Sequence, residues 1–183
     1  MIAAKSKIGL KKKFDALPDQ TKNYLSGIET LLDNPGTFNV ALAFAFMKVE
    51  EGQHRALKCG LIRLHKCNSA KVDDALGKQH FTRAYFKAIF KNVFGEDVNK
   101  SALELIGKAE KVRDKLIHGK GADSPSLREA IADAFDYIGA LGKQVETKTG
   151  KNPFGDLRGL AGKAALMDEV PSFWLLKGLG FYS

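Results

Sequence analysis

Apolar residues recur along this chain at helical spacing, and no stretch alternates as a strand would. The pattern predicts a first helix over 19–32, stopped by Asp33-Asn34-Pro35-Gly36. A long helix follows over 38–66. Its first half is apolar nearly all round, which predicts a central buried element. Phe81, Tyr85, Phe86, Ile89, Phe90 and Val93 supply the bulk of a helix over 72–94, ended by Gly95. Asn99 or Ser101 is placed to cap the next helix, with Leu105, Ala109, Val112 and Leu116 on one stripe. Ser124-Pro125 reads as the N-cap and first residue of a fifth, carrying Leu127, Ile131, Ala134, Ile138, Leu141 and Val145. The expected fold is all-α, a bundle of about five helices.

The two ends depart from this pattern. The first dozen residues are Lys-rich, running into Lys11-Lys12-Lys13, and predict a loose basic arm. From Gly150 onward the chain is punctuated by Gly155, Gly159, Gly162, Gly178 and Gly180. It also carries Phe154, Phe173, Trp174, Phe181 and Tyr182. The expected organisation is a helical domain over 1–149 and a tail over 150–183, whose aromatics pack on the bundle or on a partner.

Composition narrows the class of protein. A net charge of +8 favours polyanionic partners, RNA or DNA first. Cys59 and Cys67, eight positions apart along a predicted helical stretch, cannot readily bridge to one another, offer no disulfide framework and point to a reducing cytoplasm. No secretory signal is evident before the lysine triplet, and the apolar run 38–47 is too short to span a bilayer. A soluble cytoplasmic protein without membrane attachment is expected.

The chemistry concentrates at the end of the fourth predicted helix, in Glu110-Lys-Val-Arg113-Asp114-Lys115-Leu-Ile-His118-Gly119-Lys120. With Leu105 set at zero and about 100° per residue, Arg113 falls near 80°, inside the apolar sector. A guanidinium there needs a carboxylate, a phosphate or a helix end. His118 falls near 220°, about 140° from Arg113. The two converge only if the helix loosens at Gly119 and Gly121, or if two copies of the motif share one cleft.

Arg113-Asp114-x-x-x-His118 resembles the R-(polar)-x-x-x-H signature of HEPN domains, small all-helical modules many of which are RNA-cutting toxins. The resemblance implies a homodimer in which both motifs line one metal-independent ribonuclease site, with no cofactor. Arg113 would contact the scissile phosphate, His118 would do the acid–base work, and Asp114 would orient the pair. The implied reaction is attack of an RNA 2′-OH on its own 3′ phosphate, leaving a 2′,3′-cyclic phosphate and a 5′-OH. It also implies a toxin or antiviral defence effector, restrained by an antitoxin or regulatory protein. Some HEPN toxins carry E-x3-K-R on an earlier helix. Glu50-Glu51-Gly-Gln-His54-Arg55 is similar, with His54 in place of the lysine. Members neutralised by a nucleotidyltransferase often have a tyrosine where this chain has Lys120.

Lys115 and Lys120 are candidate phosphate contacts, as are Arg55 and His54. Cys59-x5-His65-x-Cys67 does not follow zinc-site spacing, so no metal centre is expected. The rival readings are a non-catalytic HEPN-like module that binds RNA or protein, and an adaptor subunit of a defence complex docking through the tail.

Overall fold

The computed structural model describes residue 4 and residues 6–182. Every regular element among them is helical: α1 (Lys7–Asp15), α2 (Asp19–Tyr24), α3 (Ile28–Leu32), α4 (Phe38–Arg63), α5 (Ser69–Gly77), α6 (Arg83–Phe94), α7 (Lys100–Ile117), α8 (Ser124–Thr149) and α9 (Glu169–Leu179). The all-α expectation holds, whereas the count of about five does not. Two predicted helices are each divided. Gly27 takes a left-handed φ of 92° between α2 and α3. The region 72–94 breaks after Gly77 and restarts where Thr82 accepts a hydrogen bond from the Tyr85 N–H.

Two further helices lie in segments expected to be irregular. The basic arm is α1 from Lys7 on, capped by Ser6, with Leu10 and Phe14 buried. Lys13 is not a solvated arm residue: it is buried, and its Nζ donates to Oδ2 of Asp136 at 2.5 Å. Lys11 pairs with Asp33 at 2.9 Å. The tail contributes α9. At the start of α8 the capping acceptor is Asp123, not Ser124: its Oδ1 accepts from the Ser126 N–H at 2.8 Å.

The chain forms two compact units, 1–50 with 99–141, and 51–98 with 142–183. In the first, α1 to α3, the start of α4, α7 and most of α8 surround Phe14, Ile28, Phe38, Leu42, Ile106, Phe135 and Ile138. The Phe14 and Phe135 rings meet at 5.8 Å. The second unit buries Phe86, Phe90, Val145, Phe154 and Phe181.

Close backbone approach shapes that second core. A Cβ on Gly52 would lie 2.1 Å from the Phe154 ring, and one on Gly60 would lie 2.4 Å from Val93. Two α4 arginines hold the end of α8 and the loop after it by their carbonyls. Arg55 donates through Nε to Pro153 O at 2.5 Å and through Nη2 to Gly155 O, and Arg63 donates through Nε to Thr149 O at 3.1 Å. Among the described residues no helix is long and apolar enough to cross a membrane.

Candidate functional site

The motif occupies the last two turns of α7, in the first unit. Asn99 starts this helix by accepting from the Ser101 N–H. The end is a Schellman turn: Lys120 N–H donates to Lys115 O at 2.9 Å and Gly119 N–H to Leu116 O at 3.0 Å. Gly119 takes the left-handed φ of 68° that this turn requires. His118 is the C-cap, and its N–H still donates to Asp114 O at 3.0 Å. The helix therefore does not loosen between Arg113 and His118. Five residues of intact helix keep them about 140° apart, so one chain does not bring the two together by unwinding.

Arg113 lies on the apolar side, as the wheel predicts, and its surroundings explain how it is tolerated. Its guanidinium sits 4.6 Å from the centre of the Phe46 ring. Nε and Nη2 donate to Oδ1 of Asp114 at 3.2 and 2.9 Å, and Nη1 is 3.7 Å from Oε1 of Glu50. Arg113 is thereby held in place and only 26% exposed, against 66% for Glu50. Both carboxylates stay in contact with water, a position from which a phosphate can displace them.

Beside Arg113 runs an open groove of about 590 Å³. Val40, Ala43 and Met47 of α4 form one wall; Leu116 and Ile117 of α7 form the other. The first half of α4 is thus not buried all round: Asn39, Val40, Ala43, Met47 and Glu50 lie exposed along one stripe. Met47 is 54% and Ile117 69% exposed. The Glu50–Arg113 contact and this stripe escaped sequence reasoning. The helical spacing of Val40, Met47 and Glu50 was the available signal.

His118 is exposed, does not line the groove, and its ring has no hydrogen-bond partner among the described residues. Lys115 and Lys120 are exposed and likewise unpaired among them. The other two predicted contacts belong to the second unit. Arg55 is engaged by the Pro153 and Gly155 carbonyls and lies 3.8 Å from Glu51, and His54 packs edge-on against Phe81 at 4.6 Å.

His65 Nε2 donates to Val93 O at 2.7 Å, which fixes its tautomer. Cys59 and Cys67 are buried, and burial pushes each thiol up to about 11. No group of three or more His, Cys, Asp or Glu among the described residues is arranged to hold a metal.

Comparison with family models, with curated proteins and with solved structures gives no match.

Proposed function

We propose that this chain is a HEPN-like endoribonuclease that acts as a homodimer and cleaves RNA by its own 2′-OH. The observation that carries the reading is the exposed apolar stripe of α4 beside Arg113. A helix apolar on nearly every side asks for cover on every side, and here one stripe, Val40, Ala43 and Met47, stays open next to Ile117. A second copy seated there would pair the two motifs and place the groups that one helix holds apart around a shared phosphate.

In that site the Arg113 fork, freed from Glu50, would bind the phosphoryl oxygens as charge builds on them. One His118 imidazole would take the 2′-OH proton. Its counterpart would protonate the leaving 5′ oxygen, giving a 2′,3′-cyclic phosphate and a 5′-OH. Asp114 would orient the guanidinium. These steps draw only on side chains and the RNA, and so call for no metal. As a toxin or antiviral defence effector, such an enzyme would be restrained by an antitoxin or regulatory protein.

The test is cleavage of end-labelled tRNA and mRNA in EDTA by wild type, His118→Ala and Met47→Glu. Cyclic phosphate ends from wild type alone, with Met47→Glu monomeric and inactive, are the expected result. If a folded dimeric wild type leaves both RNAs intact, the nuclease reading fails. A second reading, a non-catalytic RNA- or protein-binding module, draws on the intrachain pairing of Arg113 with Asp114 and Glu50. It predicts that His118→Ala binds RNA or a partner as wild type does, with no cleavage by either.

A further inference from the structure

The solvent side of α7 carries a feature that neither the motif nor the groove uses. Lys100, Lys108, Lys111 and Lys115 are all exposed, and none makes a hydrogen bond or ion pair with a described residue. On the wheel that puts Leu105 at zero they fall at about 220°, 300°, 240° and 280°, and His118 at about 220°. Arg113 and Ile117, near 80° and 120°, look the other way. Glu104 is the one acidic side chain within this sector, and α7 contains no aromatic residue.

Many lysines elsewhere are paired, while others such as Lys87, Lys143 and Lys163 are exposed singly outside α7. Lys22, Lys58, Lys71, Lys78, Lys91 and Lys148 each reach a carboxylate. On α7, Lys108, Lys111 and Lys115 follow one another at spacings of three and four, where like charges oppose the helix. The row thus concentrates positive charge along one face and ends at the histidine; Glu104 lies within it, and Asp133 and Asp123 act on Lys108 and Lys115 from outside the helix without reaching ion-pair distance.

We infer that this face is a track for an RNA sugar–phosphate backbone, with Lys100, Lys108 and Lys111 as contacts beyond the motif and His118 at its end. The inference rests on the nuclease reading for its choice of RNA over other polyanions. From Lys100 to His118 the helix rises about 27 Å, enough to run beside several successive phosphates of one strand. With no aromatic ring to stack on a base, the track grips the backbone and is indifferent to sequence. Its substrate class is therefore structured RNA held by phosphate position, with the choice of cleavage point left to the site at His118.

The experiment uses the full chain and a fluorescent RNA hairpin carrying 2′-O-methyl groups, which the proposed chemistry leaves uncut. Affinity is measured by anisotropy across a salt series for wild type, for Lys100→Gln/Lys108→Gln/Lys111→Gln, and for a control triple, Lys87→Gln/Lys143→Gln/Lys163→Gln. The control removes equal charge from other exposed positions.

The track triple is expected to bind about tenfold more weakly at 0.1 M salt. Its log–log salt slope should be shallower by about two to three, at roughly 0.7–0.9 per lost contact. Melting should be no lower than wild type. Equal weakening in both triples, or none in the track triple, overturns the inference. If unmodified RNA survives wild type while the track triple alone loses binding, the nuclease reading fails and the track stands. If wild type cleaves and the track triple binds and cleaves equally well, the track alone fails.

Discussion

Nη1 of Arg113 on α7 lies 3.7 Å from Oε1 of Glu50 on α4, which places a carboxylate beside the proposed phosphate clamp. Glu50 is mostly exposed, so the contact contributes about 1 kcal/mol or less to stability. Its larger effect is to compete with a phosphate for the same fork. Glu50→Gln should therefore bind RNA a few-fold more tightly with an almost unchanged melting temperature. Weaker binding in an anisotropy titration would show that Glu50 helps the clamp instead.

The pair formed by Lys13 and Asp136 behaves in the opposite way. Lys13 is buried and Asp136 half-buried, so removing one partner strands the other charge. Lys13→Met should cost about 2 kcal/mol in urea unfolding, less than a fully buried pair because water still reaches Asp136. Lys13→Met combined with Asp136→Leu should recover most of that loss. A double variant no more stable than the single one would rule this account out.

Gly52→Ala reverses the usual rule for a helix interior. Alanine would ordinarily gain about 1 kcal/mol over glycine. Here the new Cβ would lie 2.1 Å from a Phe154 ring already buried between Gly52 and Gly142. We expect a net loss of about 1–3 kcal/mol from overpacking. Gly139→Ala, whose Cβ would meet nothing within 4 Å, is the matched control and should be stabilising. Thermal melts of the two variants with opposite signs would bear this out.

Asp133 gives a pH dependence with a definite sign. Burial raises its carboxyl above the ordinary value, Asp136 and Glu129 add to the rise, and Lys108 and Lys13 oppose it. The folded chain thus holds this proton to higher pH than the unfolded chain, which releases it near about 3.9. Stability from this group falls as pH rises from there through the raised value. Asp133→Asn should melt higher than wild type at pH 7, with the gain gone below about pH 4. A gain that persists undiminished at pH 3.5 would assign the effect to packing.

How much of this was legible depends on how far each signal reaches along the chain. The Asn99 cap, the stop at Gly95 and the break at Pro35-Gly36 are local, and each ends or begins a helix as read. Gly27 was missed because a left-handed glycine and a helical one such as Gly52 look alike in sequence. Three consecutive lysines read as a solvated arm because the partner of Lys13 lies 123 residues away. In the candidate site, Arg113 stood out as a charge on an apolar face. Glu50 and Phe46, which account for it, come from another helix and become neighbours only in the fold. The open stripe on α4 was hidden for a related reason: periodicity records how apolar a face is, and says nothing about what covers it.

Arg55 and Arg63 grasp the end of α8 and the loop after it through carbonyl oxygens, which every residue type possesses. That anchorage is blind to the letters written along the loop. Aside from the buried Pro153, Phe154 and Leu160 and the left-handed Gly150, Gly159 and Gly162, substitutions there should leave the attachment intact while changing the face shown to solvent. The segment is a place where surface identity can drift without loosening the architecture beneath it.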